Sequence, residues 1–124
     1  MTLHDIKRLG YIYLATPYSK YPKGLDAAYD DACRLLARLL ERDCDVFCPI
    51  AHCHRAAVIG GLNAIDGAFW TEIDQKHLDR AEVLLIAELP GWQESIGVQY
   101  EKDFFEEVGR PVYYINPMTL EVRQ

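Results

Sequence analysis

Apolar runs alternate with amphipathic segments along the chain. Four runs rich in β-branched and aromatic residues have the composition of strands. They span residues 11–16, 44–49, 81–89 and 111–115. Three further segments repeat apolar residues at a period of about 3.6, which predicts helices. These helices span residues 25–42, 68–80 and about 95–108, with Gly109 placed to cap the last one.

Two other stretches have weaker patterns. Residues 50–67 combine Gly60, Gly61 and Asn63 with short apolar pieces, so we expect an irregular loop with one helical turn there. The sequence Leu-Glu-Val-Arg at residues 120–123 is suited to a fifth strand at the edge of a sheet.

Strands that alternate with helices form a parallel sheet through right-handed crossovers, with helices on both faces. The pattern therefore predicts one small doubly wound α/β domain over residues 1–124, with strand order 2-1-3-4 and a fifth strand at the edge. Ligands bind such sheets where the strand order reverses, at the carboxyl ends of the strands. Residues 15–19 and 90–101 should lie at that crevice.

Charge and composition exclude several classes of partner. The chain has 124 residues and a formal net charge of -6, so its field repels duplex nucleic acid. No apolar run approaches the roughly 20 residues that span a bilayer. The first ten residues are polar and lack the apolar core of a secretion signal. We therefore expect a cytoplasmic protein without a membrane partner, its four cysteines reduced.

The start of the last predicted helix has a suggestive spacing. Ser95 is placed at the N-cap, and Gly97 and Glu101, four residues apart, share one helix face. Gly97 would leave a hollow directly over the Glu101 carboxylate. Alternatively, Gly97 allows close packing of the helix on a strand, and Glu101 is solvated. The spacing leaves both interpretations open.

A cluster of potential metal ligands lies at His52, Cys53 and His54, with Cys48 upstream. Imidazole and thiolate are zinc ligands, but no Cys-x-x-Cys or distant pair completes a tetrahedral set. We therefore predict neither a metal nor another cofactor. Either His52 or His54 is expected to face a substrate or to fix the loop.

Three stretches together resemble the nucleoside 2-deoxyribosyltransferase superfamily. They read YLATPYS (13–19), WTEIDQKHLDRAEVLLIAEL (70–89) and ESIGVQYEKDFFEEVGRPV (94–112), and the resemblance covers roughly residues 11–115. Ser95 stands where the transferases usually have Asp. The order Ser-x-Gly-x-x-x-Glu is similar to the 2'-deoxynucleoside 5'-phosphate N-hydrolase branch. PIAHCHRA (49–56) and FWTEID (69–74) resemble an uncharacterised domain family within the superfamily.

The resemblance implies roles for three catalytic residues. Glu101 matches the nucleophile that forms a covalent glycosyl-enzyme intermediate. Asp74 matches the acid that helps the base to leave. Tyr13 matches the tyrosine whose hydroxyl orients the nucleophile. From the strand pattern alone, Tyr13 is a packed core aromatic, with Tyr11 on the same face of the strand.

The resemblance and the predicted crevice also give candidate substrate contacts. Ser95, with the amides at the helix start, would hold a 5'-phosphate, or it is a plain N-cap. Trp92 is favoured to stack on a nucleobase, whereas Trp70 is expected in the core or a subunit interface. The full set of expected contacts is Ala15, Thr16, Pro17, Tyr18, His52, His54, Trp92, Ser95 and Gly97.

The resulting hypothesis is an enzyme that cleaves or transfers the N-glycosidic bond of a nucleoside or nucleoside 5'-monophosphate, most consistent with a 2'-deoxy sugar, through Glu101. The alternative is a non-catalytic nucleotide-binding module of the same fold. A homodimer or larger homo-oligomer is implied by the resemblance. The identity of the base, the need for a phosphate and the choice between water and a second base as acceptor stay open.

Overall fold

A five-stranded sheet forms the centre of the computed structural model, which describes residues 1–124. Its strands are β1 (Ile12–Ala15), β2 (Val46–Phe47), β3 (Val83–Ala87), β4 (Val112–Ile115) and β5 (Val122–Arg123). The strand order is β2-β1-β3-β4-β5. β1 to β4 pair in parallel, and β5 pairs antiparallel with β4. The predicted α/β class and strand order are confirmed.

Five α-helices surround this sheet. They are α1 (Leu3–Leu9), α2 (Leu25–Glu41), α3 (Pro49–Gly60), α4 (Gly67–Arg80) and α5 (Ile96–Glu107), and a short 3-10 turn spans Trp92–Glu94. Helices α2, α4 and α5 lie within about two residues of the predicted bounds. No helix is long and apolar enough to cross a membrane.

The irregular loop predicted for residues 50–67 is wrong, because α3 occupies most of it. Pro49 takes the first helical turn, where its fixed φ suits the helix and its missing N–H is no loss. Gly61 ends the helix at φ 72° and donates its N–H to the Ala57 carbonyl. The glycine pair thus terminates a helix instead of marking a loop.

Helix α1 was not predicted from the sequence. Thr2 and Asp5 form a capping box at its start, and Ile6 is its one buried residue. One buried position in seven residues gives no detectable apolar period, so local capping rather than amphipathicity defines this helix.

The alternation along β1 divides the core into two clusters. Ile12 and Leu14 pack into the cluster that contains α2, whereas Tyr13 and Ala15 pack into the cluster that contains Val98 and Phe105 of α5. All four β1 residues are fully buried. The tyrosine of β1 therefore faces α5, on the side where the order of strands places the crevice.

Arg110 connects the start of β4 to the end of α4. Its Nη1 donates to the carbonyl oxygens of Leu78, Asp79 and Ala81 at 3.1, 3.0 and 3.0 Å. These carbonyls lie in and just after the last turn of α4, where intrahelical donors are missing. The guanidinium also lies 5.9 Å from the Phe105 ring centroid. Arg110 thereby fixes α4 against α5 and the sheet.

We expect Arg110→Lys to lower the free energy of unfolding by about 1–2 kcal/mol, because an ammonium on a flexible stem cannot serve the same carbonyls and ring together. Urea denaturation measures the change. Arg34→Lys is the control, since Arg34 makes only an exposed pair with Asp31 at 2.8 Å. Equal losses in the two variants would contradict the assignment.

Candidate active site

A cavity of about 380 Å³ opens at the carboxyl ends of β1 and β3. Its walls are the segment after β1, one face each of α3 and α4, and the first turns of α5. This volume is within the usual range for a small-molecule site. We call it the site cavity, defined by its position between Thr16, His54, Asp74 and Glu101.

Glu101 is a buried carboxyl group in the wall of the site cavity. The hydroxyl of Tyr13 donates a hydrogen bond to Glu101 Oε2. Tyr13 is fully buried behind Glu101, so it is both a core aromatic and the donor that orients this carboxyl. The alternative of a solvated Glu101 is wrong, since only 7% of the residue is exposed.

Burial raises the pKa of Glu101 to about 8. The Tyr13 hydrogen bond opposes this rise, and the neighbouring charge of Asp74 adds to it. Near neutral pH the carboxyl therefore holds a proton for much of the time. Tyr13 is the group that stabilises its ionised form.

Asp74 is the second carboxyl group of the site cavity, contributed by α4. Burial raises its pKa to about 6. Its Oδ1 atom is buried and has no hydrogen-bond partner within the chain. Buried polar atoms are rarely left unpaired, and such exceptions concentrate at functional sites. Asp74 and Glu101 repel each other, so between pH 6 and 8 the pair holds about one proton.

The start of α5 has the geometry that its spacing predicted. Ser95 is the N-cap, and its hydroxyl accepts a hydrogen bond from the Val98 amide at 3.3 Å. A methyl group added at Gly97 would meet no atom within 4 Å. Gly97 thus borders open space in the site cavity, and the alternative of close helix packing at this glycine is wrong. The amides of Ile96 and Gly97 have no helical acceptor, as in any first turn.

Helix α3 contributes a wall that the sequence prediction missed. Ile50, Cys53, His54 and Ala57 line the site cavity, at the spacing of one helix face. Burial raises the pKa of the Cys53 thiol to about 11. This apolar spacing could have revealed α3, had the glycine pair been assigned to its end.

His54 is hydrogen bonded at both ring nitrogens. Its Nδ1 lies 2.6 Å from the Tyr18 hydroxyl, and its Nε2 lies 2.9 Å from Asp26 Oδ1. The other histidine of this segment, His52, is exposed and packs on Phe47 at 5.4 Å between ring centroids. No three His, Cys, Asp or Glu side chains form a group suited to a metal ion.

Several expected contacts do not border the site cavity. Ala15 is fully buried in β1, Pro17 lies outside the lining, and His52 faces away. Trp92 packs against Tyr114 at 5.3 Å between ring centroids instead of lining the cavity. The remaining expected contacts do line it, namely Thr16, Tyr18, His54, Ser95 and Gly97.

Trp70 lines the site cavity, although the sequence interpretation preferred the core or a subunit interface. Its indole N–H donates to the Asn63 carbonyl at 2.9 Å, which leaves the ring face beside the cavity. Trp70 precedes Asp74 by four residues, so the two share one face of α4. In the sequence, this spacing of four residues was the signal that could have placed Trp70 at the site cavity.

Residues 10–116 match a family model described as a domain of unknown function, DUF1937. The chain belongs to the DUF1937 family. The matched part of the DUF1937 domain runs from Gly10 to Asn116, so it contains Tyr13 and every residue that lines the site cavity. It leaves out α1 and β5. A search of curated proteins finds no match.

The raised pKa of Glu101 links stability to pH. An unfolded glutamate has a pKa near 4.5, whereas the folded value is about 8, so the folded DUF1937 domain binds this proton more tightly. Stability from this group is therefore complete below pH 4.5 and is lost as pH rises through 8. We expect Glu101→Gln to remove that loss.

The melting temperature of Glu101→Gln, relative to the native protein, should rise by at least about 4 °C between pH 5 and pH 8.5, the effect of roughly 1 kcal/mol in a chain of this size. Glu107→Gln, an exposed position on the same helix, is the control and should show no such trend. A difference for Glu101→Gln that is independent of pH would contradict the raised pKa.

Proposed function

We propose that this DUF1937 domain cleaves the N-glycosidic bond of a nucleoside through a covalent intermediate on Glu101. The observation that carries the proposal is the pair of carboxyl groups in the site cavity: a buried Glu101 oriented by Tyr13, and Asp74 near it on α4. Breaking an N-glycosidic bond needs one carboxylate at the anomeric carbon and one acid near the leaving base. The resemblance to the nucleoside 2-deoxyribosyltransferase superfamily supports the same assignment.

In the first step, an oxygen of ionised Glu101 attacks the anomeric carbon, and the bond from that carbon to the base nitrogen breaks with its electron pair going to the base. Asp74 gives its proton to the departing base, which leaves neutral. The product is a glycosyl ester of Glu101. The hydroxyl of Tyr13 holds Glu101 in line for this attack.

In the second step, water attacks the anomeric carbon from the face that the base has left. Ionised Asp74 takes a proton from this water, and the ester bond breaks to regenerate the Glu101 carboxylate. A second free base could intercept the ester in place of water, which would give transfer. The two outcomes differ only in the acceptor.

The charges around the site cavity favour an uncharged nucleoside over a 5'-monophosphate. Its twenty lining residues include the carboxyl groups Asp74 and Glu101 but no Lys or Arg. A phosphate dianion would gain the partial positive charge at the start of α5. It would also meet a carboxylate in a partly desolvated site, where repulsion of like charges is strong. The hydroxyls and the Trp70 face suit a neutral sugar and a base.

The decisive experiment incubates the protein with matched pairs of nucleosides and their 5'-monophosphates, in ribo and 2'-deoxy forms, and measures the free base by chromatography. We expect base release from at least one nucleoside, with kcat/KM about 10-fold or more above that of its monophosphate. Glu101→Gln should lower kcat at least about 1,000-fold. Native turnover in Glu101→Gln would overturn the proposal.

Two matched controls separate chemistry from folding. Glu107→Gln removes an exposed carboxyl from the same helix and should keep full activity. Tyr13→Phe should lower kcat by about 10- to 100-fold, the effect of losing a hydrogen bond to a charged group. Tyr11 lies on the same face of the strand but outside the site cavity, so Tyr11→Phe should not lower kcat.

The pH dependence of kcat/KM provides an independent prediction. The active form has Glu101 ionised and Asp74 protonated. It is the minor arrangement of the single proton on the pair, because Glu101 has the higher pKa and holds that proton for most of the time. Activity should therefore fall below about pH 6, where both groups are protonated, and above about pH 8, where both are ionised. The Asp74→Asn variant should lose the alkaline limb of this pH profile, whereas Glu107→Gln should keep both limbs. A profile with a single limb in the native protein would contradict the shared proton.

A further inference from the structure

Three polar side chains form a continuous hydrogen-bonded chain at one wall of the site cavity. This chain is separate from the Tyr13–Glu101 pair. Tyr18 follows β1, His54 belongs to α3, and Asp26 belongs to the first turn of α2. The Tyr18 oxygen lies 2.6 Å from His54 Nδ1, and His54 Nε2 lies 2.9 Å from Asp26 Oδ1. The reaction proposed above does not use these groups.

The chain is rigid at its centre and open to solvent at its far end. The His54 side chain is 1% exposed, whereas that of Asp26 is 91% exposed. The imidazole also stacks on Tyr29, with ring centroids 4.8 Å apart and planes 29° apart. The ring is therefore withdrawn from water and held between Tyr29 and its two hydrogen-bond partners. Tyr18 is the only member of the chain besides His54 that lines the site cavity.

The partners of His54 set the direction of both hydrogen bonds. An ionised carboxylate only accepts, so Nε2 carries the ring proton and donates to Asp26. When the imidazole carries only this proton, Nδ1 has only a lone pair, and the Tyr18 hydroxyl donates to it. Burial and the charge of Asp26 raise the pKa of Tyr18, which keeps that hydroxyl protonated. The oxygen of Tyr18 consequently has only lone pairs left for the cavity.

This distinguishes Tyr18 from the other hydroxyls of the site cavity. Thr16, Ser19 and Thr71 carry hydroxyl protons that the structure does not commit to a neighbour in this way, so they can rotate to donate or to accept. The Tyr100 hydroxyl donates to Gln75 Oε1 at 2.6 Å, but that hydrogen bond is exposed. Tyr18 is the hydroxyl whose donor role is fixed by a buried partner, His54. A ligand group that meets the Tyr18 oxygen must therefore be a donor.

We propose that Tyr18 is a specificity-determining hydrogen-bond acceptor, held in that state by His54 and Asp26, which selects ligands carrying a hydroxyl or amino donor at this wall. His54 and Asp26 are positioning residues that act through Tyr18. The ligand class rests on the proposed function, since nucleosides carry such donors on both sugar and base. The assignment of Tyr18 as a hydrogen-bond acceptor does not rest on the proposed function, because it follows from the hydrogen bonds of His54.

The ligand test measures binding, which needs no turnover. Titration calorimetry compares nucleosides with analogues that lack one donor each, namely the 3'-hydroxyl, the 5'-hydroxyl or the exocyclic amine. One deletion should weaken binding to the native protein by about 10-fold and have no effect on binding to Tyr18→Phe. If every deletion costs the same in both proteins, Tyr18 selects no donor and the proposal is overturned.

A second variant tests the positioning role. Asp26→Asn removes the carboxylate that accepts only, and its amide can donate to Nε2, which allows the ring proton to move to Nδ1 and the Tyr18 hydroxyl to donate. The discrimination for the ligand donor should then fall about 10-fold or reverse, while thermal stability changes little because position 26 is exposed. Asp30→Asn removes the same charge from an exposed position on α2 and should leave discrimination unchanged. If the two variants changed ligand discrimination equally, the cause would be the loss of a negative charge in general, and the positioning role of Asp26 would be overturned.

A third measurement separates this proposal from the proposed function. Nitrogen-15 NMR of the histidine rings at pH 7 should show His54 with its proton on Nε2 in the native protein and with a larger share of the Nδ1-protonated form in Asp26→Asn. A proton on Nδ1 in the native protein would overturn the accepting role of Tyr18, whatever the ligand. If the native protein binds no nucleoside, the proposed function fails, and the polarity of Tyr18 stands or falls on this spectrum.

Discussion

The site depends on the hydrogen bond from Tyr13 to Glu101, because a carboxyl group that is largely withdrawn from water has few ways to become charged. Desolvation favours its protonated form, and the nearby Asp74 favours it further. Tyr13 supplies the one donor that acts in the opposite direction. Its position is in turn fixed by β1, which pairs with β2 on one side and β3 on the other. The central pairing of the sheet thus positions the donor that favours the ionised form of Glu101.

The core stabilises groups that by themselves oppose folding. A buried Glu101 and an unpaired Asp74 Oδ1 both cost stability, as polar groups withdrawn from water do. Every residue of β3 is fully buried next to them, and α5 packs on this strand. Natural proteins commonly concentrate such locally unfavourable features at functional sites and offset them elsewhere. The placement of both carboxyls in one cavity fits that distribution.

The fold was predictable where the chain follows one period for a whole element. The apolar runs predicted β1 to β4 and their order, since parallel strands buried on both faces leave few other arrangements, and the weaker pattern at residues 120–123 predicted the edge strand β5. The prediction failed at residues such as proline and glycine, which can mark either the end of one element or the boundary of another. Pro49 ends a strand but also begins α3, and Gly60–Gly61 interrupts a pattern but also ends this helix. Local sequence does not distinguish these two uses. The helix is decided by tertiary structure, in which one face of α3 lines the site cavity.

The site was predictable in part, for a similar reason. The spacing of Ser95, Gly97 and Glu101 lies within one helix, so sequence separation converts directly into geometry. The partners of His54 lie 28 and 36 residues away, on separate elements, and no periodicity connects them. Trp92 shows the limit for loops: the 3-10 turn rotates its ring onto Tyr114, which residue spacing cannot reveal.

The two walls of the site cavity divide the work in the proposed reaction. Glu101, Tyr13 and Ser95 are attached to the sheet or to the helix packed directly on it, where positions are fixed by the core. A nucleophile needs that precision, because a small misplacement removes much of the benefit of orientation. His54 and Trp70 lie instead on α3 and α4, whose outer faces are solvated, and α4 also carries Asp74. Changes at His54 or Trp70 can therefore alter ligand discrimination while the Tyr13–Glu101 pair keeps its position, whereas Asp74 ties the position of α4 to the chemistry.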